Sequence, residues 1–488
     1  METVQIVLLI GIFLCMALLM FLRKIPALIA LPVMAFFIPL VGGVSLMDTI
    51  QLVIGQGTLR LYPAYTIAFF GSMLSVLLQK TGVAENFIKI GAELAGDKPW
   101  TIAVLMMAII AILFTTLGGL GAIIMVAAIV LPIMSAVGIS AMTTVGIFLF
   151  GLSIGGILNA GNWALYINVL GLSVSQIQPF AIKMFVLTSV TALAYITIQL
   201  YRDGQSLHIL KILIVVISLL VIGTLFYCGF RHLPVTVRHD FLSTLKMIAR
   251  TLKLLSGVSL AGLFIDNLLR LCRPHSKKIH WSAYCTPLVP LLLIMVFKID
   301  FIAAFICGLI YGWLATYRKN HLNLLIQAVF QGGAVVMPAV VLMFGIGMLL
   351  NAIMGPGETW TQLHPAGWPV LNILRPFLLK VVPHNAWSYI VIFTLAAPLA
   401  LYRGPLNVWG MGYGLAAILL TSGMPAGSIV GLLMAVGQVQ GISDPTNTHN
   451  VWLANEMRQD VQKVLWNTLP YTWLVAFVGL VVAALTFL

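Results

Sequence analysis

Residues 438–450, Gln-Val-Gln-Gly-Ile-Ser-Asp-Pro-Thr-Asn-Thr-His-Asn, form a polar island inside a segment, 426–455, that is otherwise long and apolar enough to cross a bilayer. Pro445 has no backbone N–H and cannot continue a helix. A carboxylate and unwound backbone persist at membrane depth only where they line a protein cavity or an ion site. The rest of the chain must therefore be a scaffold that holds this island near the midplane. The composition agrees: 488 residues, 61% hydrophobic and 8% charged, describe an all-α polytopic membrane protein and exclude a soluble domain.

Apolar runs at about 4–22, 25–43, 63–80, 101–137, 144–172, 179–201 and 208–229 read as membrane segments. Further runs lie at about 251–269, 284–298, 301–317, 334–354, 387–423, 426–455 and 464–487. About 11–12 crossings are expected. The net charge of +13 sits mostly between these runs, where it reports orientation. Arg23, Lys24, Lys80, Lys89 and Lys98 fall on one side, which places them inside and the N-terminus outside. The sequence holds no separate basic domain that would bind nucleic acid. The five cysteines have no metal-ligand spacing, so neither a metal centre nor a cofactor is expected. Residues 4–22 read as a retained helix rather than a cleaved signal, because Arg23-Lys24 and a second apolar run follow directly.

Two runs, 101–137 and 387–423, are far longer than one crossing, and each is interrupted in the middle. The breaks are Thr115-Thr116-Leu117-Gly118-Gly119-Leu120-Gly121 and Tyr402-Arg403-Gly404-Pro405-Leu406-Asn407. Each run fits a re-entrant hairpin; two helices joined by a tight turn are the alternative.

The halves also overlay. Gln56-Gly57 followed by Pro63 recurs as Gln331-Gly332 followed by Pro338, and Met73 meets Met348 at the same offset of 275 (338 − 63). Further on the offset is 285: Gly119 meets Gly404, Gly156 meets Gly441, and Asn162 meets Asn447 (447 − 162). The expected organisation is a first inverted repeat over 1–204, a linker over 205–283, and a second inverted repeat over 284–488. Each repeat carries a hairpin (101–137; 387–423) and a broken helix (144–172; 426–455). Inverted repeats with discontinuous helices and a midplane site point to a secondary transporter.

On this overlay Thr115, Thr116, Gly118, Gly119, Asn159 and Asn162 of the first half face Arg403, Gly404 and Asn407 of the second as substrate-binding residues. Arg403 replaces Gly118, and Asp444 replaces Asn159. A charge at the bilayer centre costs at least ~2.5–3.5 kcal/mol, so each needs a reason. Arg403 either grips an oxyanion with its planar fork or pairs with Asp444. Asp444, with Ser443, Thr446, Asn447 and Thr448, either binds the coupling ion or caps the restarted helix. If that ion is Na+, Asp444, Thr446 and Asn447 are its expected ligands; H+ is the other choice. His449 reads equally well as a satisfied core histidine.

The stretch Ala68-Phe69-Phe70-Gly71-Ser72-Met73-Leu74, the Leu131-Pro132-Ile133 close of the first hairpin, and Gly151-Leu152-Ser153-Ile154-Gly155-Gly156 resemble segments of gluconate-type permeases in the ion-transporter superfamily. The Ser-Asn-Thr hairpin tip of that superfamily's divalent-anion branch is missing from both hairpins. The resemblance implies a homodimeric, cation-coupled carrier of small organic anions (carboxylates or sugar acids) in a bacterial inner membrane, working by an elevator motion, and not an enzyme. A permease subunit of a multi-component system is the alternative. An intramembrane enzyme using Asp444 and His449 finds no nucleophile or metal motif to support it.

Overall fold

The computed structural model describes residues 2–22, 24–205, 235–270, 279–317, 321–357, 360, 367–383 and 385–488. Among them every regular element is helical. Eight helices are long and apolar enough to span a bilayer, or nine if Ala141–Ile157 and Ala160–Leu170, bent by 49°, form one broken span. The chain is an all-α polytopic membrane protein, the architecture in which each segment satisfies its own backbone hydrogen bonds in hydrocarbon. The count falls short of 11–12 partly because Ala27–Val41, Pro99–Phe114, Leu120–Ala136 and Phe301–Ala315 are apolar but only 15 to 17 residues long. The expected span at 208–229 lies outside the described residues. Val235–Arg270 is a single helix, of which Arg250–Arg270 is apolar enough to cross.

Two helices run well beyond their apolar cores. The segment 44–62, expected as a loop, is helical from Leu46, with a widened π turn at Thr49–Gly55, and continues to Lys80. Its counterpart starts at His321 rather than near 334 and ends at Met354. Hydropathy alone misses the polar ends, which are consumed between the helices. Arg60 Nη1 donates to Asn351 Oδ1 (2.6 Å) and to the Gly355 carbonyl (3.0 Å), and Asn351 Nδ2 donates to the Leu52 carbonyl (2.9 Å).

These two long helices pack against each other reciprocally. A Cβ on Gly57 would lie 2.7 Å from Met348 Cα, and a Cβ on Gly332 would lie 2.7 Å from Met73 Cα. Gly57 and Gly332 are 275 apart (332 − 57), as are Met73 and Met348 (348 − 73). Residue i of one helix thus meets residue j of the other, and j meets i, as elements related by a two-fold axis do. The low-numbered end of one helix meets the high-numbered end of the other, so the pair is antiparallel. Ser72 adds a hydrogen bond from its hydroxyl to the Gly332 carbonyl (2.8 Å). Gly57→Ala and Gly332→Ala should each destabilise the protein by about 1–3 kcal/mol, since neither helix backbone can give way cheaply. Unfolding in detergent checks this, and near-equal losses are expected from the reciprocal geometry.

The remaining elements come in similar sets. A first hairpin (Pro99–Phe114 and Leu120–Ala136) precedes a first split helix (Ala141–Ile157 and Ala160–Leu170) and a long closing helix, Val174–Arg202. A second hairpin has Ala386–Ala396, a tight helical turn Ala397–Arg403, and a return arm from Val408 to Thr421. It precedes a second split helix (Ala426–Ser443 and Thr448–Glu456) and a second closing helix, Val461–Phe487. The first hairpin's arms, 16 and 17 residues, are shorter than the ~20 a crossing needs, whereas the leading arm of the second, continued through its helical turn to Arg403, is 18 residues long.

Candidate functional site

The second split helix stops at Ser443 because Pro445 removes a donor, and the chain restarts at Thr448. Asp444 sits in the gap with no exposed surface. Its carboxylate is surrounded by donors: the Tyr402 N–H (3.0 Å), the Thr446 N–H (2.9 Å) and the Thr446 hydroxyl (2.7 Å) reach Oδ1, and Asn407 Nδ2 (3.1 Å) reaches Oδ2. Asp444 therefore closes a turn onto Thr446 within the gap and ties the tip of the second hairpin to the break. Gln440 adds a second tie, its Oε1 accepting from the Val408 N–H (2.6 Å).

Asn159, 285 residues earlier, does the corresponding job in the first half. Its Oδ1 accepts from the Gly161 N–H (2.9 Å), while its Nδ2 donates to the Phe114 carbonyl (3.0 Å) of the first hairpin. The polarity of the tie is reversed. The first hairpin presents a carbonyl to the break, so the break carries an amide; the second presents N–H groups, so the break carries a carboxylate. The N–H orientation has a local cause, because Tyr402 (φ 55°) and Arg403 (φ 60°) are both left-handed, a conformation costing roughly 1–2 kcal/mol per residue.

Between the hairpins, the split helices and the two long helices lies a cavity of about 350 Å³. The first hairpin contributes its tip, with Thr116, Gly118 and Gly119 on the wall; the second contributes Val408 and Trp409. Gly156, Asn159 and Asn162 line it from the first split helix, and Gln438, Gln440, Gly441, Asn447 and His449 from the second. The split helices meet at Ser153, whose hydroxyl donates to Gln438 Oε1 (2.8 Å). These positions are themselves 285 apart (438 − 153), the offset at which the halves overlay in sequence.

Of the expected substrate residues, Thr116, Gly118, Gly119, Asn159 and Asn162 reach the cavity wall, whereas Thr115, Arg403, Gly404 and Asn407 do not. Thr115 turns its hydroxyl onto the Ile112 carbonyl (2.7 Å), and Asn407, fully buried, spends its amide on Ala400 and Asp444. Arg403 is half-buried and forms neither a hydrogen bond nor an ion pair among the described residues, so the Arg403–Asp444 salt bridge is absent.

Of the expected coupling-ion residues, only Asn447 lines the cavity. Ser443 bonds to Thr468 (2.8 Å) and Thr472 (2.9 Å), and Thr448 is exposed. Oδ1 of Asp444 already receives three donors, an arrangement opposite to the oxygen cage a sodium ion needs. No group of three His, Cys, Asp or Glu that could hold a metal ion occurs among the described residues.

Sequence reasoning passed over Ser72, Ser153, Tyr166 and Trp409 as wall residues, and it placed no bet on His449. The signal for Ser153 was available: at the offset of 285 it lies opposite Gln438, the first residue of the polar island.

Among the described residues the cavity wall holds no Asp, Glu, Lys or Arg. Helices restart beside it at Leu120, Ala160, Val408 and Thr448, directly after or at wall residues Gly119, Asn159, Val408 and Asn447. At two of them one N–H is already taken, that of Gly161 by Asn159 and that of Val408 by Gln440; the other first-turn N–H groups have no intrahelical acceptor and lie at the positive end of a helix dipole.

No protein-family model and no curated protein matches the chain. Among solved structures the chain is similar to that of the Alcanivorax borkumensis YdaH transporter, described as having an unusual topology. The two share 14% identity over 90% of this chain and 88% of that one, with a TM-score of 0.47. At that identity and overlap the likeness assigns the chain to no family.

Proposed function

We propose that the protein is a secondary active carrier of a small organic anion, a carboxylate or sugar acid, driven by a cation gradient. The observation that carries this reading is the meeting of four helix restarts at one cavity whose wall, among the described residues, has no carboxylate. Backbone N–H groups at helix starts bind anions without a full positive charge, and discontinuous helices at a midplane site are how carriers build such sites. Arg403, at the hairpin tip that Asp444 holds, adds positive charge behind the wall without touching the solute.

The two halves are inverted repeats. The reciprocal, antiparallel contact of the long helices supports this, because a two-fold axis relating antiparallel spanning helices lies in the membrane plane. Each hairpin is tied to the split helix of its own half, through Asn159 in one and through Asp444 and Gln440 in the other. Hairpin and split helix therefore travel together against the long helices, an elevator-type motion. The basic loops place the N-terminus outside, and the family resemblance supplies the homodimer and the bacterial inner membrane.

The purified protein in liposomes tests the reading, using labelled gluconate, citrate and succinate under proton and sodium gradients imposed separately. Saturable, gradient-driven accumulation of at least one anion is expected. Uptake no greater than in protein-free liposomes for the whole panel under both gradients would overturn it.

A further inference from the structure

We infer that His449 is the proton-binding group of the cavity and that the coupling ion is H+, taken up on the imidazole together with the anion; this rests on the carrier reading above. His449 is the second residue of the restarted half-helix Thr448–Glu456 and lines the cavity. Its Nε2 lies 3.2 Å from the Gly441 carbonyl. A carbonyl only accepts, so Nε2 carries the hydrogen, and Nδ1 is left with a lone pair. Nδ1 has no hydrogen-bond partner among the described residues, and it is not among their buried, unpartnered polar atoms. It is therefore not sealed in the interior, and the residue that carries it lines the cavity.

Among the described residues no other side chain on the wall changes charge near neutral pH, Tyr166 being a phenol. The nearest charged groups that the structure describes are Asp444, five residues earlier in the same break, and Arg403, at the hairpin tip that Asp444 holds. Asp444 is saturated by its four donor contacts and stays where it is. The elements packed on the half-helix add little: the first hairpin's return arm and the first split helix's leading half carry no ionisable side chain. The second closing helix brings Lys463 near its start and Tyr471, whose ring packs edge-on against Tyr195 at 5.1 Å. Glu456 ends the half-helix itself, seven residues on.

An imidazolium in the first turn of a helix lies where backbone N–H groups already present positive charge, so it needs an anion beside it. The anion entering the cavity supplies that charge. Proton and anion then raise each other's affinity by the same factor, and that reciprocity is what couples their movement. An empty cavity does not hold the proton, so the carrier does not leak protons as it returns.

The test compares the wild-type protein with His449→Gln, which keeps a donor able to reach the Gly441 carbonyl but does not titrate. Both are reconstituted in liposomes with whichever of gluconate, citrate or succinate the wild type accumulates. In His449→Gln, counterflow of that anion should no longer change with pH, as it does in the wild type, and accumulation driven by a pH gradient should fall at least tenfold, to the level of equilibration. Unchanged pH-driven accumulation in the variant, or wild-type accumulation that follows a sodium gradient and ignores pH, would overturn the inference.

If the variant loses counterflow as well, 15N spectra of histidine-labelled wild-type protein decide. The signal missing from the His449→Gln spectrum should move to the doubly protonated position when the anion is added at fixed pH, and no movement overturns the inference. Failure of the carrier reading looks different, since then the wild type itself takes up none of the panel under either gradient.

Discussion

Asp444→Ala is expected to destabilise the protein by on the order of 3 kcal/mol or more and to lower anion accumulation at least tenfold. The change leaves the Tyr402 N–H, the Thr446 N–H and one hydrogen of the Asn407 amide without their acceptor in the protein interior. Each such orphan costs ~1–3 kcal/mol. Part of this is returned when Tyr402 and Arg403 relax from their left-handed conformations, and that relaxation is itself damaging, because it frees the hairpin tip from the break. Asp444→Asn separates pinning from charge. Its oxygen still accepts from Tyr402 and Thr446. Its amide meets the Asn407 amide, donor against donor, unless Asn407 turns its buried, unpartnered Oδ1 towards it. About 1 kcal/mol of destabilisation and uptake within threefold of wild type are expected. Melting in detergent and uptake in liposomes read the two effects. A stable Asp444→Asn protein that has lost all cation-driven accumulation would return the coupling ion to Asp444.

The contrast between Asp444 and Asn159 marks how far the sequence could be read. A polar run with a proline in an apolar segment can hardly be anything but a break, and 115–121, 402–407 and 444–447 are all breaks, as is the kink at Leu158-Asn159. Composition and spacing fix where a helix fails. They do not say whether the polar atoms at the failure face a cavity or are consumed by the backbone that the failure exposes. Asp444 looked like the centre of the site because a buried charge is expensive; it is instead the acceptor for a hairpin tip whose N–H groups point inward. Arg403 is legible as unusual and illegible as to direction, since a left-handed φ at a non-glycine residue is set by the turn around it. The polar ends of the long helices, at 46–62 and 321–333, were hidden for a related reason: Arg60 and Asn351 satisfy each other across 291 residues of chain, and no local window sees the partner.

Gly118→Phe should block the carrier without unfolding it. Gly118 lies on the cavity wall at the tip of the first hairpin, and a Cβ built on it meets nothing within 4 Å. The backbone there is not left-handed, so a side chain is tolerated. A benzyl group at this position occupies a large share of a cavity of about 350 Å³ and covers the start of the helix at Leu120, where the anion is expected to sit. The expected result is a loss of uptake and counterflow of at least tenfold, with a melting temperature within a few degrees of wild type. Gly119→Ala is the opposite control. That residue has φ +84°, and its Cβ would lie 2.8 Å from Val335 Cγ1, so one methyl group strains the tip by about 1–2 kcal/mol while filling little space. The two neighbouring glycines should therefore separate the readouts, Gly118→Phe lowering uptake and sparing melting, Gly119→Ala lowering melting and sparing uptake. If Gly118→Phe transports normally, the anion does not pass the first hairpin tip, and the cavity between the four helix restarts is not the transport site.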